Sequence, residues 1–378
     1  MSNYLDYNAS TPIDPRVLNV MIDAFQNKYG NADSRTHEFG ESARRAVEES
    51  RGNIAKLLDV NKDEVFFTSG ATESDNISIL GLQEYAEKSS KKHIITTAIE
   101  HKAVLEPLSV LEVKGFEVTY IKPDINGRIN PDEVLSNVRG DTLLVSVMHT
   151  NNETGVIQPI DIIGEALDKT DVFFHVDAAQ SFGKLVDELK RVTYSFLSAS
   201  AHKMYGPQGI GTLILRKKKF KSPPVKSIMY GGSQEHGIRP GTIPTALVAG
   251  FGKACEIALS EYQSNLSKYQ QIKKQIIELL DSSSIDYVIN GDVEYSIPNT
   301  INISFNGVNS EALMLATKQY CSISNGSACN SHSYKPSHVL SAMGLDIERI
   351  ESAIRISWGV DDSFIPDFRT LIQIAKSL

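Results

Sequence analysis

Val172-Phe173-Phe174-His175-Val176-Asp177-Ala178-Ala179-Gln180 and Ser195-Phe196-Leu197-Ser198-Ala199-Ser200-Ala201-His202-Lys203 decide the fold. Each is a short apolar run ending in polar groups. A buried parallel strand takes this form when it delivers side chains to the carboxyl edge of an open α/β sheet. Residues 64–68, 93–97, 117–121 and 142–148 also read as strands, with helical patterns between several of them. In residues 41–58, Ala43, Val47, Ile54, Leu57 and Leu58 share one face and charges take the other. This alternation predicts a mostly parallel, doubly wound sheet through about residue 220. After a Gly/Pro-rich passage (230–244) come a long helical stretch (246–281) and shorter mixed elements, as expected of a smaller α+β lobe.

At 378 residues the chain can bury a large core, in two domains or in one large domain with a lobe. Its 41% hydrophobic and 22% charged residues are those of an ordinary soluble globular protein. A net charge of −8 argues against direct nucleic-acid binding. The one basic run, residues 216–221, is most simply a solvated turn. No stretch approaches the roughly 20 apolar residues that span a membrane, and residues 1–6 lack the features of a secretory signal. Three cysteines without metal-ligand spacing indicate a reducing compartment, so a cytoplasmic location is expected and no metal site.

Lys203 follows Asp177 by 26 residues. An acid on one strand and an amine after the next are what pyridoxal phosphate (PLP) needs. The lysine forms an imine with the aldehyde, and the carboxylate keeps the pyridine nitrogen protonated so that the ring accepts electrons. Either residue alone is bland, but the pair flanked by His175, Gln180, Ser200 and His202 is not. Ser69-Gly70-Ala71-Thr72-Glu73-Ser74-Asp75-Asn76 follows a strand and opens a helix, where free N–H groups and the Thr72 hydroxyl would hold a phosphate. A plain capped turn reads the same way. His101, in Glu100-His101-Lys102-Ala103-Val104, could lie over a cofactor ring or be structural. Asn151-Asn152-Glu153-Thr154-Gly155 could bond a ring oxygen or simply form an Asn-rich turn. The glycine-rich loop 231–242 sets Arg239 and Thr242 where they could meet an anion.

Cys329 lies in Ser324-Asn325-Gly326-Ser327-Ala328-Cys329-Asn330-Ser331-His332-Ser333, whose small polar residues predict an exposed loop and an available nucleophile. Cys255 and Cys321 fit helix and strand packing instead. Arg355, in Ala353-Ile354-Arg355-Ile356-Ser357-Trp358, alternates with apolar residues and needs an anionic partner, which a substrate carboxylate would supply.

In this order, from Leu5-Asp6-Tyr7-Asn8-Ala9-Ser10-Thr11-Pro12 to Arg355, these segments resemble the cysteine desulfurases of the NifS/IscS group, in the class V aminotransferase branch of PLP enzymes. The resemblance implies the PLP-transferase fold type I. A large domain (13–260) would carry a mostly parallel seven-stranded sheet, and a smaller α+β domain (1–12 and 261–378) the cysteine loop. It also implies roles. Lys203 carries the PLP imine, Asp177 pairs with the pyridine nitrogen, and His101 stacks on the ring. Asn152 and Gln180 bond the ring oxygen. Ala71, Thr72, Ser200 and His202 hold the phosphate, with Thr242 from the other subunit of a homodimer. Asn152 and Arg355 hold the substrate carboxylate region. Cys329 takes the sulfur of L-cysteine as a persulfide, with a base such as His101 to deprotonate it.

Two departures stand out: Asn31-Ala32-Asp33-Ser34 replaces the usual Asn-Pro-Ser-Ser, and 23 residues follow Arg355 where housekeeping members carry a longer tail. That end and Ser333-Tyr334-Lys335-Pro336-Ser337-His338-Val339-Leu340 resemble DndA-type desulfurases, which feed DNA phosphorothioation. The expectation is a desulfurase that passes sulfur to an acceptor protein, for that pathway or for iron–sulfur and thio-cofactor synthesis. Its rivals are another class V enzyme (a transaminase or a selenocysteine- or kynurenine-type lyase) and a catalytically idle partner in a sulfur-transfer assembly.

Overall fold

The computed structural model describes residues 2–325 and 336–378. Seven strands form the main sheet: β1 (Val65–Thr68), β2 (His93–Thr97), β3 (Glu117–Ile121), β4 (Thr142–Met148), β5 (Phe173–Asp177), β6 (Phe196–Ser200) and β7 (Gly211–Leu215). Their order is β1-β7-β6-β5-β4-β2-β3, and only β7 runs against its neighbours. Edge strand β3 exposes Glu117 and Tyr120, whereas every residue of β2, β4 and β6 is buried.

Successive side chains of a strand point to opposite faces, so each strand feeds two cores. Phe66, Ile94, Leu144, Phe196 and Leu213 enter one; Phe67, Ile95, Val145, Leu197 and Ile214 enter the other. Continuous apolar runs are therefore required. Helix α1 (Glu38–Leu58) covers the second core with the five apolar residues expected from its periodicity.

A three-stranded antiparallel sheet, β8 (Tyr287–Ile289), β9 (Thr300–Phe305) and β10 (Ala353–Ser357), backs a separate core. The 38-residue helix Thr245–Ser282 joins the two regions. Val248, Phe251 and Cys255 pack into the main core, while Tyr269, Ile272, Ile276 and Leu280 pack into the smaller one. Leu5 joins the smaller core, so the N-terminal segment belongs with the C-terminal sheet. Residues 216–221 contain a tight turn that leaves Phe220 99% exposed. Among the described residues no helix is long and apolar enough to cross a membrane.

The loop 231–242 is tied down by charge. Arg51 bonds both carboxylate oxygens of Glu235 at 2.7 and 3.0 Å and stacks over Phe67, while Glu235 also accepts the Phe67 N–H at 2.8 Å. Removing one partner strands a buried charge. Glu235→Ala should lower the free energy of unfolding by about 3 kcal/mol, read as a lower urea midpoint; an unchanged midpoint would refute the role of this pair.

Candidate active site

The carboxyl ends of β1, β2, β4, β5 and β6 open onto one cleft of about 710 Å³. Ala71, Thr72, His101, Asn152, Asp177, Gln180, Ser200, His202, Lys203 and Arg355 all line it. Thr242 is exposed and does not line its own chain's cleft, and Cys329 lies outside the described residues.

Lys203 ends the short 3-10 turn that follows β6, and its Nζ donates to the carbonyls of Asn8 and Ala9. Asp177 ends β5, with its Oδ1 accepting the Ala179 N–H at 2.9 Å. Burial, and then the nearby Asp75 carboxylate, push Asp177 up to about 6. A cation beside it would reverse that shift.

His101 caps the helix Lys102–Val113, its Nδ1 accepting the Ala103 N–H at 3.1 Å. An acceptor nitrogen carries no proton, so the neutral ring bears its hydrogen on Nε2. Burial lowers its pKa, which keeps the ring neutral. His101 therefore faces the cleft as a donor. The structure does not support a general-base role for it, because taking a proton on Nδ1 breaks the cap. His202 is also held neutral: burial, then the Lys203 and Lys184 charges, push it down to about 4.

Helix α2 (Ala71–Leu80) has no side-chain cap at Gly70, which leaves its first N–H groups to the cleft beside Thr72 and Ser200. Glycine is required where β7 passes this turn, since a Cβ on Gly211 would sit 2.6 Å from the Gly70 Cα. Arg239, expected to meet an anion, instead pairs with Glu73 at 3.0 Å and neutralises a carboxylate in the first turn of that helix. The Asn151-Asn152 pair divides its labour. Asn151 Oδ1 accepts the N–H groups of Glu153 and Thr154, so this residue builds the turn, and Asn152 faces the cleft.

Asp6, Asn8, Ala9 and Ser10 also line the cleft, and nothing in the sequence marks Asp6 or Asn8 for a role there. Arg355 bonds Asp6 at 2.6 Å and the Asn152 carbonyl at 2.9 Å, so an internal carboxylate is already its partner. Gln180 Nε2 donates to the Asn8 carbonyl at 2.9 Å, and its Oε1 is buried without a partner. Thr11 bonds the His202 carbonyl through both N–H and hydroxyl. Their apparent signal was small: short polar residues near a terminus.

The class-V aminotransferase family model matches residues 3–363. This chain belongs to that family. Cysteine desulfurase IscS of Anaeromyxobacter dehalogenans is 43% identical over 94% of this chain and 87% of its own length. A NifS-like protein superposes with a TM-score of 0.91 at 35% identity over the whole of both chains. DndA from Streptomyces lividans does so with a TM-score of 0.83 at 41% identity over 93% of this chain and 98% of its own. The cofactor is pyridoxal 5′-phosphate. The cleft fits it: an uncapped helix N-terminus suits the phosphate, a buried acid suits the ring nitrogen, and an amine lines the same cleft.

Lys184 is 5% exposed, and its Nζ has no hydrogen-bond partner. Burial, then repulsion from Lys203, push it down from 10.5 to about 7. Between these values the unfolded chain binds a proton that the folded chain does not, so this residue's contribution to stability rises with pH. Below pH 7 the burial penalty is at its fullest. Lys184→Met should therefore stabilise the protein more at pH 6 than at pH 9, by roughly 2–3 kcal/mol at 1.36 kcal/mol per unit. Equal gains in urea midpoint at both pH values would contradict this.

Proposed function

We propose that this chain is a homodimeric L-cysteine desulfurase that releases L-alanine and keeps the sulfur as a persulfide on Cys329. One observation carries the reading. Of the three cysteines, Cys255 and Cys321 are buried at 0% and 1% exposure. Burial raises the Cys255 thiol well above its ordinary value, and burial followed by the Asp367 charge pushes Cys321 up to about 12. Neither can supply a thiolate at neutral pH, which leaves Cys329. On one side of that segment the chain stands at the cleft, and on the other it is tied to the neighbours of Asn152 and His101. Ser324 lines the cleft, Ser337 donates to Glu153, and His338 Nε2 donates to the Glu100 carbonyl at 2.9 Å.

Bound PLP supplies the electron sink that makes bonds at the substrate's Cα and Cβ labile. Lys203 moves the α-proton at Nζ. Asp177 would hold the positive charge of the ring nitrogen, and His101 would offer its Nε2–H to the cofactor. Arg355, with Asn152, orients the substrate carboxylate once Asp6 yields part of the guanidinium. Cys329 Sγ attacks the substrate sulfur, so that the substrate C–S bond breaks as an S–S bond forms. The C–S bonding pair passes to the substrate β-carbon, which takes up a proton to become the methyl group of alanine, and the sulfur is oxidised to the persulfide. A transaminase or lyase needs no such thiol, and an idle assembly partner needs no lysine, acid and imidazole in one cleft.

Cys329→Ser should keep PLP uptake, seen in the absorbance near 400–430 nm, but give neither a persulfide adduct by mass spectrometry after cysteine treatment nor steady alanine. An adduct on Cys255 or Cys321, or normal turnover, would overturn the assignment.

Thr242 belongs to the phosphate site of the other subunit, a placement supported by its absence from its own cleft. If Thr242→Ala is itself severely impaired, mixing it with inactive Lys203→Ala protomers should restore activity by forming one complete site per mixed dimer. Confirmed exchange without recovery would exclude the shared site. The persulfide sulfur passes to an acceptor protein, for DNA phosphorothioation or for iron–sulfur and thio-cofactor synthesis. Tracing labelled sulfur in host extract decides between these routes.

A further inference from the structure

Beneath Asp177 lies a row of polar groups that none of the roles above uses. His175 and Asp177 are two apart on β5 and so share one face of the sheet. Ser146 of β4 and Ser198 of β6 flank the imidazole, 2.8 Å from Nδ1 and 3.0 Å from Nε2. Asp75, on α2, packs over this row with Oδ1 3.3 Å from His175 Nε2. Asp75, His175, Ser146 and Ser198 are all 0% exposed. The Asp75 oxygens make no well-formed hydrogen bond, only loose contacts with His175 and Ser198, yet the residue lines the cleft. A carboxyl stripped of water and this poorly supplied with donors is a costly arrangement. It is explained if a positive charge belongs nearby.

We propose that Asp75, steadied by His175, is a second acid of the cofactor site, an electrostatic positioning residue that adds negative charge behind Asp177 and strengthens the hold on a protonated ring nitrogen. The inference rests on the PLP reading above. In a water-poor site a charge acts over several ångströms without contact. With no cation between them the two acids repel, and burial followed by this repulsion is why Asp177 is pushed up; burial alone pushes Asp75 up to about 7 against a lowering contact from Ser198. A cation beside Asp177 favours ionisation of both. Glu100 is equally buried but does not line the cleft, and its Oε1 is engaged by Thr97 Oγ1 and the Met148 N–H.

The test uses the apoenzyme and two probes, PLP and its 1-deaza analogue, in which C–H replaces the ring nitrogen. Dissociation constants are measured by absorbance or fluorescence titration. Wild-type protein should prefer PLP, and Asp177→Asn should abolish that preference. Asp75→Asn should weaken PLP binding about tenfold while leaving the deaza analogue unchanged. His175→Gln should show the same signature, and it carries the test if Asp75→Asn gives no folded protein by circular dichroism. Equal weakening of both probes, or of neither, overturns the role of Asp75. If Asp177→Asn still abolishes the preference in that case, the cofactor reading stands. A wild-type protein without preference overturns the cofactor reading, and the inference falls with it.

Discussion

A carboxylate buried at the end of a central strand is tolerable only where a positive charge comes to meet it, and the cleft is organised around that demand at Asp177. Burial raises this acid, Asp75 raises it further, and the hydrogen bond from the Ala179 N–H offsets part of the effect. Nearby cations are shifted the opposite way, as Lys184 and His202 show. The site thus keeps its charges few and close, where the low dielectric makes each one count.

The parallel sheet makes this concentration possible. Each parallel strand ends at the same edge, so side chains far apart in sequence converge without any strand bending toward another. Antiparallel β7 interrupts the pattern, and Gly211 lets it pass against the Gly70 turn that opens helix α2. The Arg51–Glu235 pair then holds the glycine-rich loop 231–242 against β1.

Residues 5–11 couple the two cores to the chemistry. Leu5 is packed in the smaller core, Asp6 meets Arg355 of β10, and Asn8 bonds both Asn152 and Thr300. The same segment holds the Lys203 ammonium and the His202 carbonyl.

Period and punctuation were legible in the chain itself. Continuous apolar runs ending in Asp177 and Ser200 specify buried parallel strands, and the 3.6-residue spacing of 41–58 specifies a helix with one covered face, because these patterns depend only on local geometry. Nine of the ten candidate residues in the cleft share it for the same reason, each lying at or just after the end of a main-sheet strand; Arg355 comes instead from within β10. What the chain alone could not reveal depends on partners distant in sequence. His101 is a donor because its own helix takes Nδ1. Arg239 and Arg355 meet Glu73 and Asp6 before any ligand. Asp75 reads as one more polar helix residue until packing sets it over His175, and Asp6 and Asn8 read as ordinary polar residues until the fold sets them in the cleft. Side-chain type and spacing determined which groups reach the edge; only the packed structure decided their protonation, their partners and the charge each faces.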